Sequence, residues 1–458
     1  MNNILWIIDR AGIEPLGILQ LAGIAKEHGW TSHLCDLSRD DPLEMARDCD
    51  LICYSATSGQ VEQYALVNRK IKAHYPDIRT AIGGVHASWA PEATREMGHW
   101  DIVGVGECDL VFKDILDGQD GIVYGTAPDY LPNIPDPDRD FYYRHTWTGQ
   151  FGMKSFLAGR GCGYSACTYC FESQWKKMHP GIPKRRRRRP KQIVDEMVSV
   201  MKKWPMKFIK IYDDELFSED DKWLRLFCEL YRRHVGLPFH FLCRAESMTP
   251  ELATLMKATG AVSVSMSIES GNEYIRNKVY RRNQSEQQII DGFANAKRAG
   301  LHVFSNGIFA AKEASYENDI ETVDLTIKAG ADFSEFGFLN PYAGTAIHKD
   351  YVKKGYISDK AHHYSYAFDT PVDHDEKHKT KLRTLSLLGT IGTVWPWLWP
   401  TLKKFLWVRP NWLMIICYHA AKNHSLLNEI YPFKRTWREK VKIWLWGLKT
   451  EFKRRKLG

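Results

Sequence analysis

The chain has 458 residues, 44% hydrophobic and 26% charged, the composition of a soluble globular protein too long for one ordinary domain. No window reaches the 18 or so uninterrupted apolar residues of a membrane-spanning helix, and the opening MNNILWIIDRAG has Asp9 and Arg10 where a secretory leader would have a basic start and a small-residue cleavage site. The expectation is a cytoplasmic protein whose ten cysteines are free thiols or metal ligands, not disulfides.

Residues 1–125 alternate apolar runs with helical patterns: ILWIID, PLGILQLAGIAKEHGW, LICYSATS, EQYALVNRKIKAHYP, RTAIGGV and DIVGVGE. This rhythm predicts an α/β domain with a doubly wound, Rossmann-like parallel sheet. Ligands of such sheets lie beyond the carboxyl ends of the strands. Those ends carry Asp9, the Ser55–Gly59 loop, Gly83–Ser88 and Gly104–Glu107. Residues 126–150 hold four prolines and read as a linker.

From 151 to 357 the alternation resumes through SFLAGRG, FIKIYDDELF, FHFLCRAE, AVSVSMSIESG, HVFSNGIFAA and DFSEFGFLNPY. It predicts a full or partial (β/α) barrel with its chemistry at the C-terminal mouth of the strands. Residues 358–458 read as a helical region rich in tryptophan and basic residues. From Trp395 onward fourteen Lys and Arg face three Glu, so the rest of the chain is slightly acidic, and half of the sixteen tryptophans fall here. In WREKVKIWLWGLK, Trp437, Val441, Trp444, Leu445 and Leu448 recur on one helical face, with Arg438, Lys442 and Lys449 largely off it. Together with WPWLWPTLKKFLW this suggests a peripheral contact with an anionic membrane at its inner face. A helix packed on the barrel is the alternative.

The strongest chemical signal is the triplet Cys162, Cys167 and Cys170 in GRGCGYSACTYCFE, just after the first barrel strand. Three thiolates on one loop can hold three irons of a cubane cluster and leave the fourth open. A structural zinc knuckle would need a fourth ligand, for which His179 is the nearby candidate. The other cysteines form no second spaced triplet. The six-residue basic run Lys184–Arg189 reads as a solvated or substrate-phosphate-facing loop, and nucleic acid is not the expected partner.

With the pieces around it, the loop resembles the radical S-adenosylmethionine superfamily, in its branch with an N-terminal cobalamin (B12)-binding domain. The likeness runs from about Ile4 to Ile357. It rests on PLGILQLAGIAKEHGW, IGGVHASWAPEA and DIVGVGE in front, and on RGCGYSACTYCF, RPKQIVDEM, YDDELF, IESG and NPYAGT behind. Three details depart from the family pattern. The glycine- and proline-rich segment usual after the fifth strand reads NGIFAAKEAS here, from Asn306 to Ser315. Cys162 and Cys167 are separated by four residues where three are usual, and no Asp-x-His-x-x-Gly motif supplies a histidine to cobalt.

The resemblance implies a 4Fe-4S cluster on the three cysteines, S-adenosylmethionine and cobalamin. It places Tyr169 or Phe171 by the adenine, Asp213 and Asp214 at the methionine amino group, and Arg244 and Glu269 at carboxylate and ribose. The alternatives are a helix N-cap for the aspartates and a mutual ion pair for Arg244 and Glu269. Ser55, Thr57, Gly83, Gly84, His86, Gly104 and Gly106 would form the corrinoid-contacting loops. The activity implied is reductive cleavage of S-adenosylmethionine and, with cobalamin, methylation of an unactivated carbon of a small apolar substrate (lipid, isoprenoid or natural product). A flavodoxin- or ferredoxin-type donor would supply the electron. Radical coupling, cyclisation or rearrangement without cobalamin, and a non-enzymatic cluster or corrinoid sensor, are the alternatives.

Overall fold

In the computed structural model, residues 2–12, 14–358, 369–437, 439–441, 443 and 445 are described. The first apolar run, NILWII, forms strand β1 (Asn3–Ile8), and its last five residues are buried. Five consecutive apolar residues, Ile4–Ile8, suit a parallel strand covered on both faces. It pairs with β2 (Thr31–Asp36) and β3 (Leu51–Ser55), both parallel, in registers Ile4↔Ser32 and Ile4↔Leu51. With β4 (Arg79–Gly83), β5 (Ile102–Val105) and β6 (Gly121–Tyr124) the sheet order is β2-β1-β3-β4-β5-β6. The chain reverses direction across the sheet between β1 and β3, and at such a switch point the strand ends leave a ligand crevice.

By internal contacts the chain divides into two compact units. The first comprises Met1–Ser165, Cys170–Met206 and Tyr342–Ala346; the second comprises Ala166–Tyr169, Lys207–Pro341 and Ile347–Gly458. The first unit also holds β7 (Met153–Phe156) and a two-stranded antiparallel ribbon of β8 (Gly159–Arg160) and β9 (Arg186–Arg187).

In the second unit β10 (Phe208–Ile211), β11 (Phe239–Leu242), β12 (Ala261–Ser265), β13 (His302–Phe309) and β14 (Phe333–Phe338) pair in sequence order, all parallel. Helices return the chain between most of them, and two open on capping boxes, Ser285 with Gln288 and Ser315 with Asn318. Strand β13 alternates half-buried and buried residues along its whole length. The helix Glu376–Val394 packs on β14, where Ser386 and Thr390 donate to the carbonyls of Phe336 and Ser334 at 2.7 and 2.9 Å.

One lateral row of this sheet is polar. Lys210, His240 and Ser263 stand opposite one another on β10, β11 and β12. The His240 ring lies 2.7 Å from the hydroxyl of Ser263 and 2.9 Å from that of Ser265. Lys210 donates to Tyr212 at 2.8 Å and to Tyr431 at 3.1 Å. Burial, with Lys210 beside it, holds His240 neutral, well below its ordinary 6.5. The unfolded chain therefore takes up a proton at this residue as pH falls below 6.5, and the folded chain does not. His240→Gln should be less stable than the native protein at pH 7. Below pH 6.5 it should lose stability more slowly, by about 1.4 kcal/mol per pH unit. Parallel slopes in urea titrations at pH 6.5 and 5.5 would show that His240 is not a neutral core residue.

Candidate active site

The approach to the cysteine loop is a pairing of like charges. Ribbon strands β8 and β9 set Arg160 directly opposite Arg186, an arrangement that repels unless it is neutralised. Glu107, from the loop after β5, supplies the neutralisation. Arg160 donates to Glu107 at 2.6 Å and to both oxygens of Asp109 at 2.7 and 2.8 Å, while Arg186 donates to both oxygens of Glu107. Arg186 also lies 4.5 Å over the ring of Trp175, which itself sits tilted at 44° against the His179 ring. Part of the basic run is thus spent inside the protein. Arg186 and Arg188 are buried, Arg188 pairing with Asp136 and Glu196, and Arg189 reaches the hydroxyl of Tyr130. This corrects in part the reading of the run as a solvated or phosphate-facing loop: Arg186 and Arg188 point inward around the short strand β9, while Lys184 and Arg189 stay exposed.

The ribbon leads into the loop through Gly161, at φ +89°. A Cβ there would stand 2.1 Å from the Lys184 carbonyl oxygen, so only glycine fits. Cys162 and Cys170, in the first unit, are half-buried; Cys167, in the second, is buried, and none is in a disulfide. The four-residue spacing is absorbed at Ser165, which takes a left-handed φ of 47° and donates to the Cys162 carbonyl. In the first unit Ser173 donates to the Cys170 carbonyl at 2.9 Å, and Phe171 precedes the short helix Glu172–Met178.

In the second unit the segment Ala166–Tyr169 is pinned by Thr168. Its amide and hydroxyl donate to the carbonyls of Tyr280 and Val279 at 3.0 and 2.7 Å, and its carbonyl accepts from Ile347 at 3.1 Å. This sets Tyr169, whose hydroxyl donates to Glu269 at 3.1 Å and accepts from Arg282 at 3.2 Å. Glu269 itself is buried at a left-handed φ of 66°, a strain that a non-glycine residue tolerates only where its surroundings hold it. Burial pushes its carboxyl up; Arg282, Tyr169 and Arg244 pull it back. Burial also works against the charge on Arg282, but Tyr169, Glu269 and Cys167 outweigh it and hold the guanidinium charged.

The ion pair expected between Arg244 and Glu269 is therefore replaced. Arg282 faces Glu269 at 3.7 Å, whereas Arg244 pairs with Glu246 and donates to the Arg282 carbonyl at 2.7 Å. Arg282 and Glu246 were not among the candidates from sequence. Arg282 lies in YRRNQ between two left-handed residues, Arg281 and Asn283, and no periodicity marks such a stretch. Asp213 and Asp214 follow β10, Asp213 buried and Asp214 exposed. Neither is the helix cap: Asp221 is, accepting from the Leu224 amide at 2.7 Å. Glu215, a further buried carboxylate beside them, went unnoticed in the sequence.

On the front sheet the seven candidates gather at the carboxyl ends of β3, β4 and β5. Ser55 and Thr57 are exposed, while Gly83, Gly84, His86 and Gly106 are half-buried and Gly104 is buried. Gly84, at φ +94°, packs on the Ala56 backbone, where a Cβ would stand 2.8 Å from two of its atoms. At Gly59 a Cβ would meet nothing within 4 Å, and at Gly83 only a carbonyl at 3.8 Å, so this edge is open to a ligand at backbone level. His86 Nδ1 lies 3.0 Å from the Ser58 hydroxyl.

The sequence profile of the Radical SAM superfamily matches residues 157–326, and that of the B12 binding domain matches residues 11–116. The chain is a radical S-adenosylmethionine protein with an N-terminal B12-binding domain. This radical S-adenosylmethionine protein is 23% identical over 364 residues to an uncharacterized methyltransferase of Pyrococcus horikoshii, covering 73% of this chain and 77% of the relative. It is 24% identical over 405 residues to the anaerobic magnesium-protoporphyrin IX monomethyl ester cyclase of Rubrivivax gelatinosus, covering 78% and 69%. Its fold is that of the cobalamin-dependent S-adenosylmethionine radical enzyme OxsB, solved with aqua-cobalamin and S-adenosylmethionine bound. The TM-score is 0.65 at 15% identity, over 98% of this chain and 75% of that one.

Membership brings a 4Fe-4S cluster and S-adenosylmethionine to the radical domain and cobalamin to the front domain. The residues present fit these groups. Three cysteines outside any disulfide lie within nine residues after Gly161, and the open edge of β3 and β4 carries small and hydroxyl side chains where a corrinoid would need close approach. Because Glu107 joins the edge loop to the ribbon before Cys162, Glu107→Ala should cost about 3–5 kcal/mol by leaving two largely buried arginines short of a partner. Glu107→Gln should cost less. Urea unfolding checks this, and a loss under about 1 kcal/mol for the alanine variant would mean that other contacts hold the ribbon.

Proposed function

We propose that this protein is a cobalamin-dependent radical S-adenosylmethionine methyltransferase acting on an unactivated carbon of a small apolar molecule. The observation that carries the reading is the presence in one chain of a B12 binding domain ahead of a radical S-adenosylmethionine domain that contains the Cys162, Cys167 and Cys170 loop. The bound cofactors would supply the electron, the methyl group and its carrier. The chain's own part is to hold and orient. The three cysteines would anchor the cluster, Tyr169 or Phe171 would lie by the adenine, and Asp213 and Asp214 would accept from the methionine ammonium. Arg244 and Glu269 would meet carboxylate and ribose. Glu269 is well set for that, since Tyr169 and Arg282 fix its carboxylate before any ligand arrives. Ser55, Thr57, Gly83, Gly84, His86, Gly104 and Gly106 would line the corrinoid.

The apolar substrate class rests on the aromatic C-terminal region, and a flavodoxin- or ferredoxin-type protein is the proposed electron donor. Likeness to a cyclase as well as to a methyltransferase keeps radical ring closure as the second reading.

Anaerobic reconstitution with iron and sulfide should give visible cluster absorbance and, with a reductant, 5′-deoxyadenosine from S-adenosylmethionine. Cys162→Ala, Cys167→Ala and Cys170→Ala combined should abolish both, because thiolates are the cluster's protein anchors. A reducible cluster surviving in the triple variant would overturn the assignment. The full-length protein should also bind hydroxocobalamin and, after one-electron reduction to the Co(II) form, show no protein-histidine nitrogen coupling in the cobalt paramagnetic resonance. Transfer of label from methyl-labelled S-adenosylmethionine to an apolar extract then separates methylation from ring closure, which leaves the label behind.

A further inference from the structure

Between Glu376 and Glu429 the chain has no acidic residue, yet it carries eight Lys and Arg and five Trp. The first part of this stretch is the buried helix Glu376–Val394. After it, three short turns and the helix Trp412–Ser425 expose their largest apolar side chains. Trp399 and Leu406 pack inward at 5% and 8% exposure, but Trp397, Trp407 and Trp412 are 76%, 79% and 72% exposed. On the Trp412–Ser425 helix Ile415, Tyr418, His419 and Ala421 face the core. The opposite stripe is Trp412, Ile416 and Ala420 with Leu413, all exposed. A helix face turned to water is ordinarily polar, and this one is not. Lys403, Lys404 and Arg409 lie exposed among these rings.

We propose that this surface seats the protein on an anionic lipid bilayer, with the tryptophans at the headgroup boundary and the basic residues against acidic headgroups. The proposal stands apart from the methyl-transfer reading. The charge of the patch selects the occupant: Lys403 is paired with Asp324, but Lys404 and Arg409 keep the face positive, so a second copy would set it against its like, whereas an acidic lipid surface complements it. Further along, Trp437, Val441 and Leu445, four residues apart, are 71%, 43% and 45% exposed, while Trp444, Leu448, Arg438, Lys442 and Lys449 lie outside the described residues. No helix among the described residues is long and apolar enough to cross a membrane, so the contact would be peripheral.

The test is flotation of the full-length protein with vesicles of phosphatidylcholine alone or mixed with phosphatidylglycerol, at low and high salt. The protein should float with the anionic vesicles, and salt should weaken this. Lys404→Glu with Arg409→Glu, and separately Trp407→Ser with Trp412→Ser, should each reduce the bound fraction about tenfold or more. The melting temperature should stay unchanged, since all four side chains are exposed. Failure of the native protein to float would overturn the proposal, as would flotation indifferent to both variants and to salt. A dimer in sedimentation that the same substitutions dissolve would assign the face to a second copy and overturn it too.

Discussion

Two arginines facing each other across a short ribbon cannot stay folded without a carboxylate between them, and the placement of that carboxylate organises the first unit. Glu107 follows β5, and it neutralises Arg160, two residues before Cys162, together with Arg186 across the ribbon. A second network extends the pattern. Glu196 holds Arg139 and Arg188, Arg139 donates to the Tyr143 hydroxyl, and Tyr143 donates to Glu14. Buried pairs of this kind add little net stability, because desolvation offsets their attraction, but breaking one is costly. What they provide is position: the edge loop and the ribbon can be satisfied only in one register.

The parts of this architecture that follow from side-chain periodicity were legible in the sequence. The continuous apolar run of β1 and the alternation in β13 announce their strands directly, and the order of βα segments gives both sheets. The thiol loop was legible because cluster chemistry demands spaced cysteines. The destination of Lys184–Arg189 was not. Six basic residues look like a surface until one knows that Glu107 reaches Arg186, and Asp136 and Glu196 reach Arg188, from distant positions. Arg282 was missed for the same reason: its role comes from a backbone turn and a tertiary partner, neither of which leaves a period.

The two ends of the second unit's sheet also differ in character. The Lys210, His240 and Ser263 row is closed by internal partners and keeps its histidine neutral, a core solution to buried polarity. The Glu269 region is built otherwise, with strained backbone, a buried carboxylate and a guanidinium held charged beside it. Strain and burial of charge are tolerated where a site must be ready before its ligand arrives.

The division into units has a consequence for how such a protein can be cut or recombined. The chain passes from one unit to the other after Ser165, Tyr169, Met206, Pro341 and Ala346. Two of the visits, Ala166–Tyr169 and Tyr342–Ala346, are only a few residues long. No single break liberates either unit intact. Substitutions within Ala166–Tyr169 are therefore constrained by a unit to which Cys162 and Cys170 do not belong.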